Sequence, residues 1–314
     1  MFVKKNIYLG LLLASVMGLS ACDNAQTSSE TPQLTAQQAE IQKYNTYIKV
    51  ANFNHDSFEE YINYFQHDIK PEFVKPTNNI IINSNVDDMR KIKKYLDDAR
   101  SMKPAMPDLD GPAQEYSNAL AKSLPIGMDM HNYIAAKTYL SDNGAHGREV
   151  QDAVIASLQQ LAHAEQVFLK SIDVRDRAQT KAAFENSEKG TQAYYKAGMV
   201  YYMKQGMDAA SDLQPEQGLG KDRDAFNDAL NQFASMAKGY ESKIKNPDNS
   251  DCSILRDNIN SYLSIGRTII SRTDSNYYYK KKHSFLGFAG GDGDPGDLEH
   301  NFNGLISSLN ASAC

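Results

Sequence analysis

Residues 223–245, RDAFNDALNQFASMAKGYESKIK, carry the most regular hydrophobic pattern of the chain. Its apolar side chains recur on average about every 3.6 residues, which is the period of an α-helix. They are Phe226, Leu230, Phe233, Ala237, Tyr240 and Ile244. Asn246 and Pro247 follow, and proline ends a helix because it lacks a backbone N–H. The segment therefore predicts an amphipathic helix with one buried face.

The same helical spacing extends over the rest of the chain, and no segment combines strand-like alternation with a hairpin turn. We therefore expect an all-α protein, an elongated bundle of about eight helices with antiparallel neighbours. The first predicted helix is long, running from Tyr44 to Ile69, and Pro71 ends it.

The pattern also places boundaries inside this bundle. Phe184 belongs to a fifth helix that continues through Met203, and the bundle is expected to divide into two sub-bundles near Asn246. Residues 80–82 are three consecutive isoleucines without a partner strand, so they are predicted to form a short buried connector.

The composition is that of an ordinary globular protein, with 41% hydrophobic and 23% charged residues. It excludes the collagen-like, mucin-like and wholly disordered classes. Tryptophan is absent, so the 18 Tyr, 12 Phe and 11 Met residues must supply the bulky side chains of the core. The formal net charge of −6 lacks the basic excess of nucleic-acid-binding proteins, and we expect no nucleic-acid partner.

The first 21 residues are predicted to be a lipoprotein signal peptide. Lys4 and Lys5 precede an apolar run, residues 7–19, that is too short to span a bilayer. The run ends in Leu19-Ser20-Ala21-Cys22, which resembles a bacterial lipobox, where the signal peptidase cleaves and the Cys22 thiol takes up a diacylglyceryl group. An ordinary secretory signal or a signal anchor with a chance cysteine is the alternative.

Cleavage would leave Cys22 at the start of a polar tether, residues 22–35, followed by a helical domain over residues 36–314. Residues 1–21 contain two lysines and no acidic residue, so their loss changes the net charge from −6 to −8. An acidic surface is not attracted to anionic headgroups, so the acyl chains must hold the protein to the lipid bilayer, facing the periplasm. Asp23 resembles the signal that retains lipoproteins in the inner membrane, which we favour over the outer membrane.

Two further cysteines, Cys252 and Cys314, remain in the mature chain. In an exported protein an even pair of cysteines commonly forms a bridge, because the compartment is oxidising. We expect a Cys252–Cys314 disulfide, with two unpaired thiols as the alternative.

Residues 144–149, GAHGRE, fit the G-x-H-x-x-E pattern of imelysin-like envelope proteins, which are linked to iron or metal handling. His146 and Glu149 are three positions apart, so they can share one helix face and a metal ion. A chance match is the alternative, since a search for dozens of motifs finds such a hexamer. A metal-handling or hydrolytic function that uses these two residues is therefore kept as the second hypothesis, and we expect no cofactor.

Two other segments have a functional and a structural interpretation. Residues 290–297, GGDGDPGD, offer three carboxylates as calcium loops do, but the twelfth position of an EF-hand would fall on Asn303, so a loop with a helix cap at Asp297 is predicted. Residues 277–283, YYYKKKH, can dock a lipid headgroup, a polysaccharide or an acidic partner. They can equally form a helix end, where lysines complement the helix dipole.

Several common catalytic motifs are absent. The sequence contains no G-x-S-x-G, no H-E-x-x-H, no Walker loop and no C-x-x-C. We therefore expect a protein that is not an enzyme.

Scattered aromatic and polar residues resemble the YiiG-type lipoproteins, a family of helical envelope proteins built on a domain of unknown function. The resemblance covers residues 40–310 and is carried by Tyr47-Ile48-Lys49-x-x-Asn52, Tyr116-x-x-Ala119, Asn132-Tyr133, Tyr139-x-x-Asp142 and Gly147. It implies an all-helical domain with a lipoprotein address and no established activity. The expected function is that of a membrane-anchored, non-catalytic helical binding or scaffolding module, with an unidentified envelope protein or ligand as its partner.

Overall fold

The computed structural model of the protein describes residues 35–53, 57–80, 86–211, 213–214, 216–245, 250–283, 293–311 and 314. Within these residues the protein is all-α, as predicted, and contains no strand. They form twelve α-helices: α1 Ala36–Ala51, α2 Phe58–Tyr64, α3 Lys70–Val74, α4 Val86–Ser101, α5 Pro107–Ala135, α6 Thr138–Ser141, α7 Ala145–Asn186, α8 Gln192–Ala209, α9 Arg223–Glu241, α10 Ser250–Asp274, α11 Tyr277–Lys282 and α12 Asp294–Ala311.

The described chain divides into two compact units, and the boundary in the sequence falls between Arg175 and Asp176. The expected division near Asn246 is therefore wrong. In the first unit α4 packs against α1 and α5, and in the second α9 packs against α8 and α10, while α12 packs against α10. The boundary lies inside α7, which runs for 42 residues because residues 148–189 contain neither glycine nor proline.

The helix predicted over residues 223–245 forms as α9, which already ends at Glu241. Five of its six periodic residues are buried: Phe226, Leu230, Phe233, Ala237 and Tyr240. They belong to the core of the second unit, together with apolar residues of α8, α10 and α12.

The predicted long first helix is interrupted between α1 and α2. Ser57 begins a new helix through a capping box, in which its hydroxyl accepts the Glu60 N–H and the Glu60 carboxylate accepts the Ser57 N–H. The hydrophobic stripe continues across the break, since Tyr47, Phe58 and Phe65 are all buried. Two successive helices therefore share one continuous buried stripe. The S-x-x-E pattern that starts at Ser57 marks the boundary between them.

Pro71 does not end the helical path, contrary to the prediction. Its ring would clash with the carbonyl of residue 67, four positions back, in a regular α-helix. The chain instead forms a π-helical turn over Phe65–Ile69, in which the Lys70 N–H donates to the Phe65 carbonyl, and α3 continues to Val74. Widening the helix by one residue accommodates the proline without ending the helix.

Phe184 lies in the last turn of α7 and not in the helix that carries Tyr194 to Met203. The next helix, α8, starts after Thr191, whose hydroxyl accepts the Tyr194 N–H at 3.1 Å. Gly190, with a φ of +81°, supplies the left-handed residue of the turn between the two helices.

In the second unit, the sulfur atoms of Cys252 and Cys314 are within bonding distance, and the Cα atoms are 5.6 Å apart. Cys252 lies in the first turn of α10, and the side chain of Gln192 donates to the carbonyl of Cys314. The predicted disulfide is therefore compatible with the fold. The predicted signal peptide at residues 1–21, Cys22 and the tether up to residue 34 lie outside the described residues, and so do residues 81 and 82 of the predicted connector.

Candidate functional site

The two glycines of the 144–149 motif form the contact between α7 and α3. Gly144 has a φ of +75°, and a Cβ there would overlap the carbonyl oxygen of Phe73. A Cβ at Gly147 would lie 2.5 Å from the nearest atom of the Phe73 ring. Arg148 completes the contact, because its guanidinium donates to the carbonyls of Phe73 and Asn143. These residue types are thus explained by close packing on Phe73.

Asp142 organises the start of α7 beside the motif. Its carboxylate accepts the backbone N–H of Gly144 at 2.8 Å, the N–H of His146 at 3.1 Å and the hydroxyl of Tyr133 at 2.8 Å. Desolvation raises the pKa of Asp142, but these hydrogen bonds outweigh it and hold the pKa below its ordinary value. Burial and the hydrogen bond to Asp142 raise the pKa of the Tyr133 hydroxyl to about 12.

We expect the protein to lose stability in acid as Asp142 becomes protonated. Since the folded-state pKa lies below the unfolded value of about 3.9, the stabilisation is present above that pH and disappears as the pH falls through the folded pKa. Asp142→Asn should therefore reduce the difference in unfolding free energy between about pH 7 and about pH 3.

The matched control is Asp228→Asn on α9. Asp228 is exposed and forms no hydrogen bond or ion pair with the described residues, so this change should leave the pH dependence as it is. An Asp142→Asn variant with the pH dependence of the wild type would mean that its carboxylate does not supply this stabilisation.

His146 and Glu149 lie on one face of α7, as predicted, but the closest partner of His146 is Asp129. Nε2 of His146 is 2.8 Å from the Asp129 carboxylate, and Nδ1 is 4.0 Å from Glu149. All three side chains are open to solvent, with exposed fractions of 36%, 56% and 79% for His146, Asp129 and Glu149. No group of three His, Cys, Asp or Glu side chains in the described ranges could hold a metal ion. The arrangement is that of an exposed cluster of polar side chains, which does not resemble a metal site.

The 277–283 segment forms α11, with its three lysines in the last turn. Lys282 pairs with Glu216, and the Lys280 ammonium donates to the Ser275 carbonyl at 2.8 Å. The guanidinium of Arg272 lies over the ring of Tyr277, with its Cζ atom 4.8 Å from the ring centroid. These contacts favour the helix-end interpretation of the segment.

The described part of the 290–297 segment also makes its contacts within the protein. Asp294 is buried, accepts the Tyr278 hydroxyl at 2.6 Å and pairs with Arg272. Asp297 lies in the first turn of α12 and not at the predicted cap, because the helix already begins at Asp294. Asp292 lies outside the described residues. The Asp294 carboxylate thus serves to fix α12 to α10 and α11.

A cluster of aromatic side chains lies at the edge of the core of the second unit, where Tyr195 and Tyr202 pack against the core residues. Its five members are all partly exposed: Phe184, Tyr194, Tyr195, Tyr201 and Tyr202. The Phe184 ring centroid is 5.1 Å from that of Tyr194 and 5.3 Å from that of Tyr201, with planes inclined by 30° and 24°. We call these residues the aromatic cluster.

Two glycines make room for the aromatic cluster. A Cβ at Gly198 would lie 2.8 Å from the Phe184 ring, and one at Gly239 would overlap the ring of Tyr195. The signal for the cluster is present in the sequence, because two Tyr-Tyr pairs seven residues apart fall on one face of a helix. Partly exposed tyrosines of this kind offer a flat apolar face with a polar tip, a combination that is enriched at protein interfaces.

Among the described residues two lysines are buried, and each has a carboxylate partner. Lys43 lies 2.7 Å from Asp110, which also accepts the Tyr47 hydroxyl at 2.5 Å. Desolvation raises the pKa of Asp110, but the bonds from Lys43 and Tyr47 hold it below its ordinary value. Lys204 pairs with Asp176 and donates to Thr180. Both pairs connect helices within one unit, which is a structural role.

Comparison with known proteins gives one match. The profile of a family described as "Protein of unknown function (DUF3829)" matches residues 38–311. No curated protein and no solved structure matches the chain. None of the described helices combines the length and apolar character needed to cross a bilayer.

Proposed function

The chain belongs to the DUF3829 family of proteins of unknown function, and from this premise we propose that it is a YiiG-like lipoprotein of the cell envelope. In this proposal acylated Cys22 anchors the chain in the bilayer, and the helical domain faces the periplasm. The domain acts as a non-catalytic module that binds or scaffolds an envelope partner.

The observation that carries the proposal is the lipobox at residues 19–22, after a basic n-region and an apolar run. The family match starts at residue 38 and the first helix at Ala36, so residues 22–35 are left as a polar connection. About a dozen such residues reach roughly 20 Å as a flexible coil, enough to hold the domain clear of the headgroups.

A non-catalytic role is supported by the residues of the most suggestive motif. Gly144, Gly147 and Arg148 are engaged with Phe73, and His146 pairs with an exposed carboxylate. This arrangement gives no support to an imelysin-like site. The binding role is supported by the aromatic cluster, whose rings remain partly exposed in an acidic protein.

The anchor can be tested by metabolic labelling of the full-length protein with a palmitate analogue. We expect the wild type to incorporate the label and Cys22→Ser to lose it completely, because the thiol is the site of acylation. Membrane fractionation alone is less decisive, since an uncleaved apolar run can also hold a precursor at the membrane.

The matched control is the double variant Cys252→Ala/Cys314→Ala, which should retain the label because Cys22 is unchanged. Retention of the label in Cys22→Ser, or its absence in the wild type, would contradict the proposed anchor. Asp23→Ser separates the two membranes, because it should move a protein retained in the inner membrane to the outer one.

A further inference from the structure

A small cavity lies within the first unit, under the π-helical turn. Its volume is about 40 Å³, and apolar side chains such as Phe65, Ile69, Met89 and Leu161 form most of its wall. Three polar residues, Ser123, His131 and Ser157, also line it. The lining is therefore mostly apolar, with a few side chains that can form hydrogen bonds.

One of the lining residues, His131, carries an unsatisfied polar atom. Nδ1 of His131 is buried and has no hydrogen-bond partner within the described ranges. The hydroxyls of Ser157 and Ser123 are 2.6 Å apart and bonded to each other, which leaves lone pairs free on both oxygens. A buried polar atom without a partner is costly, so native proteins satisfy nearly all such atoms through protein or ordered water.

We propose that this cavity is a hydration site, in which one or two ordered water molecules bond to His131 Nδ1 and to the Ser123–Ser157 pair. The volume of the cavity determines which molecule fits into it. A water molecule needs about 10–15 Å³ of such space, whereas an apolar cavity that admits benzene measures about 150 Å³. The site therefore takes water, and it excludes ring-sized ligands.

The proposal can be tested with two glycines of the same helix, α5. A Cβ at Gly127, which lines the cavity, would lie 3.6 Å from Val86 and 3.9 Å from Met89, so the methyl group fits without displacing protein atoms. Gly111 has no atom within 4 Å of its Cβ position. Both replacements by alanine favour the helix, but only Gly127→Ala places a methyl group in the cavity.

If the cavity is hydrated, Gly127→Ala should raise the melting temperature less than Gly111→Ala, because the methyl group displaces water from its polar partners. If the cavity is dry, the added methyl group fills empty apolar space and Gly127→Ala should raise it more. An equal or larger gain for Gly127→Ala would overturn the proposal.

A crystal structure tests the same site directly, with xenon as a probe. We expect water density about 2.7–3.2 Å from His131 Nδ1, and no xenon in the cavity under pressure. A bound xenon atom, or a protein side chain bonded to His131 Nδ1 in place of water, would overturn the hydration site.

Discussion

Gly144→Ala should lower the unfolding free energy by about 3 kcal/mol or more. A left-handed backbone conformation costs a non-glycine residue about 1–2 kcal/mol, and overpacking adds about 1–3 kcal/mol. Both costs arise here, since φ is +75° and the new Cβ would overlap the backbone carbonyl of Phe73. Backbone cannot rotate away as a flexible side chain can, so α3 and α7 would have to separate. Urea denaturation of the purified domain measures the loss.

Gly190→Ala is the matched control for this variant. Its φ of +81° is similar, but no atom lies within 4 Å of its Cβ position. It should therefore show only the backbone cost of about 1–2 kcal/mol. If the two variants were equally stable, the close contact between Gly144 and Phe73 would contribute nothing, and the structural interpretation of the 144–149 motif would be wrong.

Loss of the Cys252–Cys314 bond should also have a large effect. The two residues are 62 positions apart, and closing a loop of that size restricts the unfolded chain by about 4 kcal/mol in the loop-entropy description. The loop contains most of α10 and all of α11 and α12, so α12 should be the element that loosens first. Thermal unfolding with and without reductant measures the change.

The double variant Cys252→Ala/Cys314→Ala provides the control for reduction. It should melt at a lower temperature than the oxidised wild type, and reductant should not change its melting temperature. A wild type that is indifferent to reductant, and that reacts with thiol reagents after unfolding, would show that the two cysteines are unpaired in the native protein.

Hydrophobic spacing was sufficient to predict the fold class and the individual buried faces. The α9 stripe from Phe226 to Tyr240 is buried as its period predicts, because one face of an amphipathic helix must be covered. Spacing could not show where helices break within a continuous stripe. The break before Phe58 depends on a two-residue hydrogen-bond exchange, and the passage through Pro71 depends on a π-helical turn, neither of which alters the apolar pattern.

The candidate site could be predicted only as a set of residues. The sequence places His146 and Glu149 on one helix face, but it cannot show that Phe73, distant in the chain, fills the space left by Gly144 and Gly147. The tyrosine pairs on α8 carried a usable signal, since their spacing identifies one face. Whether that face is buried or exposed depends on how α7 and α9 pack against it. The spacing of residues along one helix does not determine that packing.

The central claim is that this chain functions as a lipid-anchored module, and the intact mass of the mature full-length protein, extracted from membranes in detergent, tests it most directly. We predict a chain that begins at Cys22 and carries the mass of a diacylglyceryl group, with or without a further acyl chain on its amino terminus. A mature chain that begins at any other residue, or one that begins at Cys22 without added lipid mass, would contradict the account.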